Sequence, residues 1–436
     1  MAPSTDAVAQ PSLRRVVRLP GAVLLGLGSI VGTGAFISIG IAAGVTGPSV
    51  VIAIGLAALL ATFNGLSSAQ LAAAHPVSGG TYEYGYRYLS PTLGFTAGWM
   101  FMSAKSASAA TAALGLAGYL LDALGYGGAV QRVVLGLIAV LVVTALVWHG
   151  TSRSNRANAV IVGITLTTLG LFVLLGLPAA TRSAHVNLAG IIPRPGEFRG
   201  LLEATALMFV AYTGYGRIAT LGEEVTDPER TIPRAIIVTL IVSALLYLSV
   251  GVVAVGSVGA ARLAELTSST AAPLEETART FGGPVLAKVL ALGAITAMLG
   301  VLLNLVLGLS RVLLAMSRRR DVPPRLAAID ERRSSPTAAV VTVGLIIGGL
   351  VLIGDVKTTW SFSAFTVLVY YALTNLAALR LPDSVRRFPR WVSWAGLAGC
   401  LGLAFWVERR IWLVGLGVIA VGLVWQRAMH LRAARS

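Results

Sequence analysis

Two glycine-rich interruptions carry the strongest chemical signal in the sequence. The first apolar stretch reads Gly28-Ser29-Ile30-Val31-Gly32-Thr33-Gly34-Ala35-Phe36, and the sixth reads Phe209-Val210-Ala211-Tyr212-Thr213-Gly214-Tyr215-Gly216 at its middle. Glycine weakens a helix by about 1 kcal/mol relative to alanine, so three glycines within seven residues invite local unwinding. A helix broken at mid-depth frees amides on one side and carbonyls on the other. Free amides and a positive helix end suit a carboxylate. Free carbonyls and a negative helix end suit an ammonium group. One broken pair can therefore hold both ends of an α-amino acid. Close helix packing through small residues is the alternative, since Gly28 and Gly32 also have GxxxG spacing. The occurrence of two interruptions, first and sixth of about twelve stretches, favours a binding site at the midplane of inverted repeats.

Lys105 is the second chemical candidate. It sits in Met102-Ser103-Ala104-Lys105-Ser106-Ala107-Ser108, more than ten residues from either end of the third apolar stretch. A cation at the bilayer centre costs at least about 2.5–3.5 kcal/mol, so one rarely stays there without a role. Burial penalises the charged form of an amine, which suits a proton carrier. Snorkelling to an interface or a fixed tether between helices are the plainer uses.

Other chemistries find little support. His75, His149, His185 and His430 are scattered near stretch ends without a Cys or carboxylate partner at ligand spacing, so no metal site is expected. The sequence has neither a GxxxxGK[ST] phosphate loop nor a nucleophile elbow with usable partners, so ATP drive and hydrolase chemistry are not expected. The single cysteine, Cys400, lies in an apolar stretch and reads as a small buried hydrophobe. No cofactor is expected.

The elements that position these residues must be transmembrane helices. Of the 436 residues, 56% are hydrophobic and only 12% charged, where a soluble chain carries about 25% charged residues; the mean hydropathy is +0.81. Unpaired backbone groups are not tolerated in lipid, and the stretches are continuously apolar rather than alternating, so helices are expected rather than a barrel. They are placed at about 20–44, 49–74, 92–121, 130–148, 157–180, 200–222, 233–257, 284–316, 337–354, 359–379, 391–407 and 411–428. The loop at about 258–283 has room for a short surface helix in Leu263–Leu266 or Pro273–Thr280. The net charge of +16 does not signal nucleic-acid binding, because the basic residues lie between apolar stretches instead of on one module. With both ends inside, about 21 basic residues fall on the cytoplasmic side and about nine outside, which the positive-inside rule favours. The apolar run after Arg14, Arg15 and Arg18 exceeds twenty residues, so it reads as an uncleaved first span rather than a signal peptide.

At these motifs the sequence resembles the amino acid–polyamine–organocation superfamily of transporters. Gly28–Phe36 looks like that family's glycine-broken first helix. Gln70-Leu-Ala-Ala-Ala-His-Pro-Val-Ser-Gly-Gly-Thr-Tyr82 looks like its second-helix exit. Phe209–Gly216, followed by Glu223-Glu224-Val225-Thr226-Asp227-Pro228 and Ile232-Pro233-Arg234, looks like its broken sixth helix and next loop. Ser310-Arg311 to Met316 with Pro323-Pro324 looks like the end of its eighth helix. The resemblance covers about residues 19–380. It implies a core of five plus five inverted-repeat helices at 19–380 (repeats of about 19–180 and 200–380), a cytoplasmic tail at 1–18, and two additional helices with a cytoplasmic tail at 381–436.

The resemblance further implies that amides at Ile30, Thr33 and Gly34, with Gly32 in the turn, bind a carboxylate. Carbonyls of Val210, Ala211 and Thr213 would hold the amine, with Phe209, Tyr212 and Tyr215 shaping or gating the pocket. Val210 stands where some relatives have an aromatic gate, and Gln70 where many have Glu. Proton-coupled relatives often carry a lysine midway along the fifth helix; here Thr165 takes that place, and Lys105 is the compensating candidate. Thr296 and Asn304 supply few oxygen ligands for sodium, which ranks proton coupling or exchange first. Arg217, Glu223 and Glu224 are expected at the inner end of the sixth span, as a gate with Arg87, Arg153 or Arg156 or as an interfacial charge cluster.

The expected function is secondary active transport of an amino acid, neutral substrates favoured because no central span holds a carboxylate at mid-depth. An exchanger, a polyamine or organic-cation carrier and a membrane sensor without transport are the alternatives. The expected partners are a small-molecule substrate, a proton and the lipid bilayer of a cytoplasmic membrane, not nucleic acid; the oligomeric state is left open.

Overall fold

The computed structural model describes residues 17–76, 79–149, 155–219, 225–330 and 336–433. Among these, every extended element is a helix, apart from an isolated bridge between Val17 and Val225. The helices are α1 (Leu19–Ile30), α2 (Ile39–Thr46), α3 (Val50–Ala74), α4 (Thr81–Tyr88), α5 (Pro91–Ala123), α6 (Ala129–Trp148), α7 (Asn155–Asn187), α8 (Phe198–Tyr212), α9 (Gly216–Ala219), α10 (Pro228–Val258), α11 (Ala260–Ser269), α12 (Pro273–Arg318), α13 (Thr337–Val351), α14 (Val356–Leu379), α15 (Arg390–Ala404) and α16 (Arg409–Ala433).

Seven helical stretches among the described residues are long and apolar enough to cross a membrane. The remainder fall short for local reasons. α13 has only 15 residues, α8 is cut off at its broken end, and α5 is rich in Ala, Ser and Gly. α5 does not need strongly apolar side chains because it is shielded, packing along α14 and α12 near the centre of the fold. α6, α7 and α16 instead present Leu141, Leu174 and Val424 outward, about 70% exposed. A lipid-facing surface makes such residues unexceptional.

Short polar pairs hold the central helices together. Asn375 Nδ2 of α14 donates to Asn64 Oδ1 of α3 at 2.6 Å, and Ser108 and Thr111 of α5 meet Ser363 and Thr359 of α14 at 2.7 and 2.8 Å. Such bonds between membrane helices are each worth about 0.6–2 kcal/mol.

Three boundaries differ from the sequence expectation. α4 forms where a loop was expected, since Thr-Tyr-Glu-Tyr-Gly-Tyr-Arg-Tyr lacks a continuous apolar run; its Tyr82 and Tyr84 are nevertheless buried. α12 runs from Pro273 to Arg318 with a break at Gly283 (φ 66°, ψ −168°), so the expected helix at Pro273–Thr280 and the eighth span are one bent element, while Leu263–Leu266 lies in the separate short helix α11. α10 starts at Pro228, whose missing amide would have had no intrahelical partner, and carries Pro233 as its sixth residue, where the ring removes one bond to the preceding turn.

Candidate functional site

The two glycine-rich interruptions break their helices and cross one another. α1 ends at Ile30, and Val31 takes an extended conformation (φ −82°, ψ 96°). The chain re-enters a helix through a wide π-helical turn, Gly34–Ser38, that leads into α2. The Gly32 carbonyl accepts from the amides of Ala35 and Phe36 at 3.0 and 3.1 Å. Thr33 and Gly34 therefore lie in the first turn of the second half-helix, where backbone amides lack intrahelical partners. In the sixth span, α8 ends at Tyr212, a 3₁₀ turn follows at Thr213–Tyr215, and α9 resumes the helix.

The crossing is close because glycine stands at its tightest points. A Cβ on Gly214 would lie 2.3 Å from the Ser29 carbonyl oxygen, and one on Gly34 would lie 2.7 Å from Ala211 Cβ. Freed carbonyls at the crossing are capped by tyrosines. The Tyr247 hydroxyl of α10 donates to Ile30 O at 2.7 Å and reaches Ala211 O at 3.2 Å, tying the two breaks together. Tyr371 of α14 donates to Thr213 O at 3.2 Å. The Thr213 hydroxyl donates to Val210 O at 2.7 Å.

Between the breaks is a cavity of about 40 Å³, lined by Ser29, Ile30, Thr33, Gly34, Lys105, Ser108, Val210, Ala211, Thr213, Gly214, Val301, Leu305 and Trp360. Of the residues singled out in the sequence, Ile30, Thr33, Gly34, Lys105, Val210, Ala211 and Thr213 line it. Lys105 is 8% exposed, and its Nζ donates to Thr213 Oγ1 at 2.8 Å. No carboxylate is among the lining residues. The Thr33 hydroxyl is buried and makes no hydrogen bond.

The remaining candidates lie outside the cavity. Gly32 faces Val301. Phe209 packs edge-on against Tyr371 and Tyr215 tilts against the same ring. Tyr212 points away, donating to Ile54 O at 3.3 Å. Thr165 is buried in α7, its hydroxyl bonded to Ile161 O at 2.8 Å. Arg217 lies in the short α9 at the end of the broken span; Glu223, Glu224 and Arg153 lie outside the described residues.

Ser29 and Gly214 belong to the two glycine-rich stretches without having been assigned to the site, and Ser108, Val301, Leu305 and Trp360 were not anticipated. Ser108 had a legible signal, being three residues from Lys105 on the same helix face. Trp360 had none; its indole donates to Leu207 O at 2.9 Å in α8, a contact set by tertiary packing alone.

A second organised region joins helix ends around Asp321, away from the crossing. Asp321, 1% exposed, accepts from Tyr82 Oη at 2.7 Å and from Tyr86 Oη at 2.7 and 2.8 Å. Arg319 pairs with Glu83 and stacks over the Tyr86 ring at 4.5 Å. The Thr226 amide donates to Val17 O at 2.9 Å, so the segment before α1 is stitched to the segment before α10.

A family model described as amino acid permease matches residues 21–427 of the chain. An uncharacterized transporter of Mycobacterium tuberculosis is 40% identical over 412 residues, which is 94% of this chain and 90% of the relative. The branched-chain amino acid permease of Bacillus subtilis is 27% identical over 416 residues, 91% of this chain and 87% of the relative. A human protein named cationic amino acid transporter 4 is 28% identical over 402 residues, 88% of this chain and 62% of the relative.

Proposed function

The chain belongs to the amino acid permease family, and on that premise we propose that it carries a neutral amino acid across the cytoplasmic membrane by alternating access, coupled to a proton through Lys105. The observation that carries this reading is the Lys105–Thr213 hydrogen bond of 2.8 Å inside a cavity lined by both helix breaks and by no carboxylate. An ammonium group there is drawn to an anionic ligand and repels a cationic side chain. The substrate carboxylate would then sit by the Thr33 and Gly34 amides, within reach of Lys105, and the substrate amine by the carbonyls of the sixth-span break. Relatives named for branched-chain and for cationic amino acids share the family, and the free-standing lysine argues for the neutral class here.

Room for about three waters is too little for an amino acid. Admission therefore requires the flanking segments to separate, which supports alternating access. The Tyr82–Asp321–Tyr86 and Arg319–Glu83 contacts are assigned as the inner latch. Residues 19–180 and 200–380 are assigned as the two repeats of the transporter core, with both chain termini in the cytoplasm.

The test is a proteoliposome uptake screen with labelled amino acids, with and without an inward proton gradient, on the wild type and on Lys105→Ala. Stimulation by the gradient in the wild type and its loss in the variant is the expected result. Uptake that needs internal amino acid and ignores the gradient would make the protein an exchanger and Lys105 a structural tether. If no amino acid moves, the substrate assignment fails.

A further inference from the structure

One cluster of ionisable side chains lies away from the crossing of the breaks, around a buried carboxyl group. Asp122 is in the last turn of α5; Glu275, Glu276 and Arg279 are in the first two turns of α12. The Glu275 side chain is fully buried, and neither of its carboxylate oxygens receives a hydrogen bond; nor does Oδ2 of Asp122. Arg279 Nη2 stands 3.6 Å from both Asp122 Oδ2 and Glu275 Oε1, while its Nε donates to Glu276 Oε1 at 3.1 Å. Three carboxyl groups thus surround one guanidinium. Arg132 of α6 lines the small cavity beside Asp122, but its Nη1 is directed to Ser269 O at 3.3 Å and the carboxylate facing it is Asp355. Two further ionisable neighbours among the described residues are the Tyr119 hydroxyl and Tyr126, which lines the same cavity as Asp122.

A facing pair of carboxyl groups with only acceptor oxygens and no donor is an unstable arrangement in a protein interior. A proton placed between them turns one into a donor and leaves a single negative charge there for Arg279. A guanidinium at the centre leaves no room for the six or more oxygens a hard metal cation takes, so the proton is the ligand this set suits.

The cluster touches the first-span break through one chain of bonds. The amide of Leu274, beside Glu275, donates to Tyr119 Oη at 3.3 Å, and the Tyr119 hydroxyl donates to Phe36 O at 2.8 Å. Phe36 belongs to the π-helical turn just past the break, and Tyr119 is one turn before Asp122 on α5.

We propose that Glu275 and Asp122 together form a proton-binding site, and that its occupancy sets how firmly Tyr119 and the start of α12 clamp the second half of the broken first span. In the membrane orientation given above, on which only the sidedness of this site rests, it faces the outer aqueous phase through Asp122, Glu276 and Arg279. With the proton bound, the carboxyl pair pins α12 to α5. Without it, like charges push the two ends apart and slacken the bond from Tyr119 to Phe36.

Burial, followed by the neighbouring Asp122 carboxylate, raises the Glu275 carboxyl from its ordinary 4.5 to about 8. Burial, followed by Glu276, raises Asp122 to about 6. A raised carboxyl means that the folded protein holds a proton the unfolded chain has released. The stability it contributes is full below about 4.5 and is lost as pH rises through about 8.

The experiment needs no substrate: apparent melting temperatures of the purified protein in detergent between pH 5.5 and 9. The wild type should lose a few degrees as pH rises through about 8. Glu275→Gln, a permanent stand-in for the protonated carboxyl, should be flat across that window, and Asp122→Asn should flatten it if Glu275→Gln does not fold. In parallel, amide exchange in residues 34–46, corrected for its intrinsic pH dependence, should slow on acidification in the wild type. Tyr119→Phe should abolish that response while keeping the melting slope. A flat wild type, or a slope that survives in the carboxyl variants, overturns the proton site. An exchange response unchanged in Tyr119→Phe overturns the link to the first span. A melting slope present in a protein that moves no amino acid would overturn the transport reading and leave this one standing.

Discussion

Replacing Lys105 and Thr213 singly and together separates a functional amine from a structural one. Lys105→Met keeps the length of the side chain and removes its charge; Thr213→Val keeps the branched shape and removes the acceptor. The bond between them spans 2.8 Å and joins two buried side chains. Hydrogen bonds to charged groups contribute about 1.5–3 kcal/mol. Removing the acceptor alone strands a buried ammonium, so Thr213→Val should lower stability by about that amount or more. Lys105→Met removes the charge itself, and exchanging a buried charge for an apolar group is often neutral or stabilising. The double variant should therefore melt above Thr213→Val. Transport should behave differently: Lys105→Met loses the counter-charge to a bound carboxylate, which at about 1.4 kcal/mol per decade means uptake efficiency reduced roughly 10- to 150-fold. The measurements are melting temperature and initial uptake rate in proteoliposomes for all four proteins. Effects that add within about 0.5 kcal/mol, or a Lys105→Met protein with wild-type uptake and gradient response, would refute the assignment of Lys105 to substrate and proton.

Three further outcomes follow from the same geometry. Tyr247→Phe leaves Ile30 O and Ala211 O without their shared donor; it should lose about 1–3 kcal/mol of stability, read as a lower melting temperature, and should reduce uptake more than it reduces folding. Gly214→Ala places a methyl 2.3 Å from the Ser29 carbonyl oxygen; forcing the crossing apart should cost about 1–3 kcal/mol and abolish uptake, whereas Gly417→Ala, with open space around it, should do neither. Asp321→Asn removes the charge that receives Tyr82 and Tyr86; at about 1.5–3 kcal/mol for the charged bonds, it should raise the accessibility of a cysteine placed on the inner part of α1, as measured by thiol labelling in membranes.

Much of this was legible in the sequence because the bilayer leaves few choices. A continuous apolar run in lipid must pair its own backbone, so runs such as 49–74 and 359–379 became α3 and α14 within a few residues. Glycine content marked the breaks at Gly32 and Gly214 for an equally local reason. Lys105 stood out because a charge at that depth is costly, and it lies in the cavity between the breaks. What composition could not show is which distant residues supply the donors. Tyr247, Tyr371 and Trp360 sit on α10 and α14 with nothing in their local sequence to set them apart, and their hydrogen bonds span 36 to 217 residues. Thr165, placed by correspondence along the fifth span, is bonded within its own helix and absent from the cavity lining. The carboxyl cluster was hidden for a similar reason: Asp122 and Glu275 lie 153 residues apart, and each alone reads as an interfacial charge.

The tyrosine donors also bear on why the broken helices keep their shape. A carbonyl left unpaired in a dry interior costs several kcal/mol, and each break frees several of them. Val210 O, Ala211 O and Thr213 O, the three expected to face a substrate amine, already accept from Thr213 Oγ1, Tyr247 and Tyr371 respectively. Each carbonyl oxygen has a second acceptor position, so an ammonium group can join these bonds without displacing the tyrosines. The breaks are then held by the protein's own hydroxyls, and the substrate supplies only the difference between one donor and two. On that argument the tyrosines set the geometry and the glycines merely permit it. Under the proposed function, selectivity would rest with the groups whose bonding is incomplete among the described residues: the Thr33 hydroxyl, the first-turn amides beside it, and the Lys105 amine with its threonine partner.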